Sequence, residues 1–222
     1  MRYEEFLKQQ LNLIKENGII TVDTMPDMDL YIDQTEGFFR KFLDRIDGGL
    51  SEKYVTKSTI NNYAKKGLIA RPNGKKYTKE HLVMIAMVIY LRSIFKMEDI
   101  SKIMKPLIDS FNSAYDDSIS PEVLYNIAEG VVEKSRIEFF DGLDDSVAQI
   151  KRRIEDTDIE DDERMEVLIL ILTLSMRAAV EKYLANQLMK VYFEEPEKEK
   201  QEKFKIQKQT VSRDKEDGIS EL

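Results

Sequence analysis

Polar and basic side chains follow one another closely between residues 57 and 77, and their types suit the recognition of phosphates and base edges. Hydroxyl and amide side chains form hydrogen bonds with bases, and asparagine can make two with adenine. Lysine and arginine neutralise phosphates without reading sequence. The residues expected on such a surface are Lys57, Ser58, Thr59, Asn61, Asn62, Lys65, Lys66, Arg71, Lys75, Lys76 and Tyr77.

The charge of this segment contrasts with that of the rest of the chain. Residues 51–80 contain eight Lys/Arg and two Glu, a net charge of +6, whereas the whole chain of 222 residues carries −8. A basic island on an acidic protein indicates an anionic partner, and double-stranded DNA is the simplest one. The alternative is a solvated polar helix face beside a basic loop, which needs no partner.

A short helix over 58–66 is predicted to position most of these side chains. Thr56 or Ser58 can cap its start, and Gly67 supplies the left-handed residue that ends it. The basic turn that follows contains Asn73-Gly74, a dipeptide that tolerates positive φ in a tight hairpin. Helical spacing leaves the polar residues outside and turns three residues toward the core. The three are Ile60, Tyr63 and Ala64.

Tyrosines 63 and 77 are assigned different roles. Tyr63 is interpreted as a core anchor rather than as a base contact. The Tyr77 hydroxyl could reach a phosphate while its ring packs against the protein. His81 is the one histidine, and its place in the first turn of an apolar helix favours a packing or helix-start role over catalysis or ligand binding.

Nearly every other segment shows a helical period, so the expected fold class is mainly α. A first amphipathic helix begins near Tyr3 and is stopped by Gly18, and a second begins near Leu30 and ends at Gly48-Gly49. Thr78 caps an apolar helix over 79–95 that should be the central buried element. A further helix opens at 96–99 and is expected to end or kink at Pro106.

The C-terminal half contains two apolar stripes. A helix begins at Ser120-Pro121, a cap followed by proline at the first helical position. Further along lies an a/d pattern with spacings of 3, 4, 3 and 4, inside which Gly142 permits a break. A final helix over 162–192 carries the second stripe, at 167–184. The two stripes form either a homodimer interface or an intramolecular antiparallel hairpin. The a/d residues are Phe140, Leu143, Val147, Ile150 and Ile154.

Composition and the lack of known motifs argue against several classes of site and of protein. The chain has no cysteine, which excludes disulfides and thiolate metal sites. No apolar run approaches the roughly 20 residues of a membrane span, so a soluble, cytoplasmic protein is expected. The acidic turn at 155–163 lacks the glycine and ligand spacing of a calcium loop, and no catalytic motif is found. We therefore expect no enzyme activity, no catalytic residues, no metal and no cofactor.

Three ordered motifs resemble the MerR family. Residues 59–69 (TINNYAKKGLI) are similar to its helix-turn-helix motif T-[IL]-R-x-Y-x-x-x-G-L-[IL], and 74–78 (GKKYT) resemble its wing. Residues 95–100 (FKMEDI) are similar to the start of its next helix. Residues 29–34, 58–63 and 76–82 also resemble an uncharacterised bacterial family of unknown function that is thought to be MerR-like. Asn61 stands where MerR proteins carry an arginine.

The resemblance implies a MerR-like winged helix-turn-helix domain followed by a C-terminal helical domain, either a hairpin or a coiled coil. The expected organisation is an N-terminal helix and connection (1–27), the DNA-binding domain (28–110), a dimerisation or effector domain (120–193) and a charged tail (194–222). The implied function is a sequence-specific transcription regulator that binds DNA as a homodimer, with an unknown small-molecule effector. The alternative is a protein-interaction module that keeps the scaffold without binding DNA.

Overall fold

The computed structural model describes residues 3–46, 54–112, 120–157 and 163–194, and these are mainly helical. By internal contacts the chain divides into two units, Met1–Ala179 and Val180–Leu222. The elements of the first unit are α1 (Tyr3–Asn17), a 3₁₀ turn (Val22–Thr24), β1 (Leu30–Tyr31), α2 (Ile32–Ile46), α3 (Lys57–Lys65), β2 (Lys76–Tyr77), α4 (Lys79–Leu91), α5 (Met97–Phe111), α6 (Pro121–Glu155) and the larger part of α7 (Glu163–Met189).

The second unit is described over residues 180–194 only. It contains the end of α7 and a π-helical turn, Lys190–Glu194. The predicted tail therefore lies outside the described residues, as does most of the acidic turn at 155–163.

Helix α4 forms the centre of the main core, as its sequence predicted. Eight of its thirteen residues are buried, so the helix has almost no solvent face. Burying each large aliphatic side chain contributes about 1.5–3 kcal/mol, so this helix contributes substantially to the main core. The apolar cluster around it runs from Ile20 to Tyr125 and includes the inner faces of α2, α3, α5 and the start of α6. This cluster extends beyond both ends of the predicted DNA-binding domain, residues 28–110.

The start of the second predicted helix differs from expectation. Leu30 and Tyr31 form strand β1, which pairs antiparallel with β2 so that Leu30 lies opposite Tyr77 and Tyr31 opposite Lys76. The Gln34 side chain accepts a hydrogen bond from the Tyr31 N–H (2.9 Å) and α2 begins at Ile32. A two-residue strand has no periodicity to detect, and its partner is distant in sequence.

Neither Pro106, where a helix end or a kink was expected, nor Gly142, which permitted a break, ends its helix. Helix α5 continues through Pro106 to Phe111, because Pro106 is exposed while Ile100, Met104 and Leu107 are buried and fix the helix on both sides of it. Helix α6 runs unbroken through Gly142. Packing along both helices outweighs the local cost of the breaking residue.

Three of the five a/d residues of α6 lie in a second core within the first unit. Leu143, Ile150 and Ile154 pack with Leu170 of α7, and the inner side of α1 covers them. Glu166, buried on α7, accepts a hydrogen bond from the Tyr3 hydroxyl and lies 3.8 Å from Lys151. Within Met1–Ala179 the stripe at 140–154 therefore makes intramolecular contacts, but Leu168, Ile171 and Leu172 of the second stripe remain exposed, so the predicted hairpin that buries both stripes is not formed there.

Arg136 fixes the end of α1 against α6. Its Nη1 donates to the carbonyl oxygens of Ile14 (2.7 Å) and Lys15 (3.0 Å), which have no partner inside their own helix. Gly18 is required here, because a Cβ at that position would clash first with the Ile14 carbonyl oxygen and would also lie 2.8 Å from Arg136 Nη1. Glycine thus ends α1, as predicted, and also admits the arginine.

No helix in the described part of the chain combines the length and the apolar character needed to cross a bilayer.

His81 has the helix-start role that its position indicated. Its Nδ1 accepts a hydrogen bond from the Thr78 N–H (3.2 Å) and closes a capping box at the start of α4. The ring is buried and packs edge-to-face with Tyr77 and Phe111 (centroids 5.9 and 5.5 Å apart). Burial lowers the pKa of His81 below its usual value, although the Arg71 backbone and nearby carboxylates act weakly in the other direction. The ring is therefore neutral in the folded protein.

We expect His81 to make the protein less stable in acid. Below pH 6.5 the unfolded chain binds a proton here that the folded chain does not, so the free energy of unfolding falls as pH decreases. The limiting slope is about 1.4 kcal/mol per pH unit. Urea unfolding at pH 7.5 and 5.5 measures it. His81→Gln keeps a capping acceptor without the titration and should lose less stability over this interval; an identical loss would contradict the assignment.

Candidate functional site

Helix α3 is held at both ends by the residues that the sequence indicated. The Thr56 hydroxyl accepts a hydrogen bond from the Thr59 N–H (3.1 Å), so Thr56 rather than Ser58 is the cap. At the other end Gly67 has φ +67°, and the Leu68 N–H donates to the Tyr63 carbonyl (2.9 Å). No atom would contact a Cβ at Gly67, so the backbone angle is the reason for glycine there.

The inner face of α3 is fixed by a hydrogen-bond chain through Tyr63. Ile60 and Tyr63 are fully buried, and the Tyr63 hydroxyl donates to the Tyr54 carbonyl (2.7 Å). Arg92, one residue beyond α4, donates to the same hydroxyl (2.8 Å), and its guanidinium lies over the Tyr54 ring (4.7 Å). Burial raises the Tyr63 pKa, partly offset by Arg92. Tyr63 is thus a core anchor, as expected.

The outer face of α3 forms one side of a polar groove of about 380 Å³. Lys57, Ser58, Asn61, Lys65 and Lys66 are exposed, and Thr59 and Asn62 partly so. The predicted site residues on α3 thus lie together on the solvent side. The groove is lined by Ser58, Thr59, Asn61, Asn62, Lys65, Arg92 and Met97.

Arg92 and Met97 were not identified from the sequence. Arg92 is the first charged residue after the apolar run of α4, but nothing in its spacing shows that the side chain turns back toward α3. Met97 opens α5, and its sulfur lies 3.8 Å from Lys66 Nζ. Only the packing of α3 between α4 and α5 makes these two residues part of the groove.

The basic turn at 71–76 is a two-residue hairpin. The Lys76 N–H donates to the Asn73 carbonyl (3.2 Å), and the two central residues have positive φ, +58° at Gly74 and +74° at Lys75. These angles are those of a type I′ turn. The central pair is one residue later than Asn73-Gly74, because the pairing of β2 with β1 fixes Lys76 as the closing residue. Arg71, Lys75 and Lys76 are all exposed.

Tyr77 connects the hairpin to α3. Its ring is buried, and its hydroxyl donates to Asn61 Oδ1 (3.4 Å). Burial raises the Tyr77 pKa, so the hydroxyl keeps its proton and can donate. The geometry makes Tyr77 an orienting partner of Asn61, whose Nδ2 remains available to act as a donor.

Acidic side chains of α2 lie at the start of α3. Lys57 forms an ion pair with Asp33, which raises the pKa of the lysine. The Lys57 N–H donates to Glu36 Oε2 (3.3 Å). The positive end of α3 is therefore partly occupied by carboxylates, whereas Lys65, Lys66, Lys75 and Lys76 on its outer face and the hairpin are exposed and form no ion pair with another described residue.

This arrangement has the chemistry of a surface for a polyanion with hydrogen-bonding edges. It combines amide and hydroxyl groups on a rigid helix with a row of lysines beside them. Within the described ranges no three His, Asp or Glu side chains converge as a metal site would require.

Comparison with known proteins finds a similar family but no activity. Residues 20–128, nearly the same segment as the main core, match a family described as "Domain of unknown function (DUF1836)". The uncharacterized protein YkrK of Bacillus subtilis (strain 168) is 37% identical over 91 residues, which are 39% of this chain and 39% of the relative. No solved structure matches the chain. This segment is thus similar to an uncharacterised domain family, as its motifs predicted.

Glycine should have opposite effects at the two lysines of the hairpin. Lys75 has the left-handed backbone that costs a non-glycine residue about 1 kcal/mol, so Lys75→Gly should be more stable than Lys75→Ala by that amount. Lys76 lies in β2, where glycine should be less stable than alanine by about 0.5–1 kcal/mol. Chemical unfolding of the four variants measures both differences. If the difference in stability between the glycine and the alanine variant had the same sign at both positions, the turn geometry would be contradicted.

Proposed function

We propose that this protein is a sequence-specific transcription regulator that binds double-stranded DNA as a homodimer through a MerR-like winged helix-turn-helix. The observation that carries the proposal is the outer face of α3. It is polar, and it lies beside an exposed basic hairpin on an otherwise acidic chain.

The order of the elements supports this assignment. Helices α2 and α3 correspond to the two helices of the motif, and the hairpin before β2 corresponds to a wing, which the antiparallel pairing with β1 holds in place. In such motifs the second helix enters the major groove. Here that helix has its apolar residues fixed in the core, and its polar residues are the ones left to contact a ligand.

The groove residues divide by chemistry into two roles. Asn61 and Asn62 are the candidates for reading adenine, and Ser58 and Thr59 can contact either bases or phosphates. The cations Lys57, Lys65, Lys66, Arg71, Lys75 and Lys76 would neutralise phosphates, with Lys57 the weakest because Asp33 pairs with it. Arg92 contributes positive charge to the groove while its hydrogen bond to Tyr63 keeps it in position.

A homodimer is proposed because the first unit leaves large apolar side chains exposed. One short helix reads few bases, whereas a two-fold pair reads two half-sites. The stripe at 140–154 is used inside the chain, but large apolar side chains of α7 remain exposed, and those of Leu168 and Ile171 line an open pocket together with Phe6 of α1. A second copy of this chain is the occupant that a two-fold DNA-binding protein requires. The exposed residues are Phe6, Leu168, Ile171, Leu172 and Met176.

A protein-interaction module without DNA binding is the second candidate. The carboxylates of Asp33 and Glu36 at the start of α3 favour it, because they repel a phosphate from that helix end. Asn61 also stands where MerR proteins carry an arginine, so this surface has one cation fewer than theirs.

Selection of DNA sequences by the purified full chain tests the proposal. We expect an enriched pseudo-palindromic site whose affinity falls by about 10³-fold between 50 and 200 mM salt, as contacts to six or more phosphates require. Asn61→Ala and Asn62→Ala should relax the sequence preference, each by about 1–3 kcal/mol of discrimination. Lys75→Ala should weaken binding to all DNA alike.

Matched controls lie on α6, away from the groove. Asn126→Ala and Lys134→Ala remove the same side-chain types at exposed positions and should leave DNA binding unchanged. No enrichment and no binding at low salt would favour the interaction module. Equal losses on selected and random DNA for the asparagine variants would remove them from base reading.

Leu172→Glu should separate the dimer into monomers, because it places a charge in the proposed apolar interface. Affinity for a two-half-site DNA should fall by about tenfold or more, while affinity for a single half-site stays the same. Sedimentation velocity and binding to both DNAs measure these effects. Ile137→Glu places the same charge at an exposed apolar position of α6 and is the control. A dimer that persists in Leu172→Glu would exclude this surface.

A further inference from the structure

An apolar cavity of about 380 Å³ lies between α4, α5 and α6, and we call it the α4–α6 cavity. It is separate from the groove on α3, and its residues come from the connection before the 3₁₀ turn and from the three helices. They include Ile19, Met87 and Leu91, Ile103 and Met104, and Leu124, Ala128, Glu129 and Val132.

The polar side-chain groups beside the cavity form hydrogen bonds with the backbone. The Tyr125 hydroxyl donates to the Ile20 carbonyl (2.7 Å), and the Tyr90 hydroxyl accepts from the Ile20 N–H (2.8 Å). Glu129 Oε2 accepts from the Val22 N–H (3.1 Å). Because these groups hold the connection in place, the surface that the cavity offers to a ligand is almost entirely hydrocarbon.

The size and the walls of the cavity fit a small molecule. Its volume is within the range of small-ligand sites, about 300–1,000 Å³. Met87 and Met104 line it, and methionine side chains adapt readily to ligands of different shape. Leu124 and Val132 are 38% and 46% exposed, so an apolar rim opens to solvent and provides an entry.

We propose that the α4–α6 cavity binds a small, uncharged and largely apolar molecule that acts as the effector of the regulator. The effector role rests on the proposed function, whereas the binding site itself does not. An anionic ligand is disfavoured, because the lining is hydrocarbon apart from polar groups such as the Glu129 carboxylate, which would repel it.

The cavity and the α3 groove share two helices, which gives a physical route between them. Leu91 of α4 lines the cavity, and Arg92, the next residue, lines the groove and holds Tyr63. Helix α5 contributes Met97 to the groove and Ile103 to the cavity. A ligand that separates α4 or α5 from α6 therefore displaces groove residues. Coupling of this kind changes affinity by about 5- to 150-fold.

The test of the site uses N-phenyl-1-naphthylamine, a neutral apolar dye whose fluorescence rises on burial, titrated into the full chain without DNA. We expect saturable binding that Ala128→Phe and Val132→Phe each weaken at least tenfold, because both fill the cavity from exposed rim positions that folding tolerates. Ala178→Phe, at an exposed site on α7, should bind the dye like the unmodified protein. Far-UV circular dichroism confirms that each variant is folded.

The apolar surface of α7 is the competing dye site, and Met176→Glu distinguishes it. Dye binding should survive Met176→Glu if the cavity is the site. Binding lost in Met176→Glu but kept in Ala128→Phe would overturn the proposal, as would the absence of saturable binding to the unmodified protein.

The effector role is measured separately, as affinity for the selected DNA with and without saturating dye. A change of fivefold or more, absent in Ala128→Phe, supports it. Unchanged DNA affinity with the dye bound would overturn the effector role and leave the proposed function standing. A protein that binds dye but no DNA would overturn the proposed function and the effector role together, while the dye titration still decides the site.

Discussion

The burial of α4 on nearly every side is the constraint on which the rest of the first unit depends. A helix with almost no solvent face needs partners on nearly every side, and α2, α3, α5 and the first turns of α6 provide them. The two ends of the helix are polar and are fixed individually. The His81 capping box fixes the start, and just beyond the other end Arg92 joins the hydrogen bonds of Tyr54 and Tyr63.

The polar face of α3 is a consequence of this packing. Because Ile60 and Tyr63 are committed to the core, most of the remaining side chains of this nine-residue helix are exposed and available to a ligand. The hairpin then takes its place through β1 and β2, a sheet of two strands that would not be stable alone but is supported by α2 and α4. Tyr77 connects the two features, since its ring belongs to the core and its hydroxyl meets Asn61.

Helix α6 joins the two cores of the first unit. Tyr125 near its start packs in the core around α4, and Leu143, Ile150 and Ile154 near its end pack in the core with α1 and α7. Because α6 is one continuous helix, a tilt of its first turns also moves its later residues, which contact α1 and α7. The Arg136 contact with the end of α1 lies between the two cores and makes this connection stiffer.

The sequence alone determined the helices whose signals are local. The Thr56 cap, the Gly67 terminus, the Ser120-Pro121 start and the apolar run of α4 act within a few residues, so their patterns predicted these elements, although α4 ends at Leu91 rather than near Phe95. The polar outer face of α3 followed from the same periodicity. Tertiary structure decided the rest, because those features depend on partners far apart in the chain. Strand β1 exists only through β2, Arg92 enters the groove only through Tyr63, and α5 continues past Pro106 only because its neighbours pack on both sides. The use of the stripe at 140–154 inside the chain was likewise settled by α1, whose pattern gives no sign of which surface it covers.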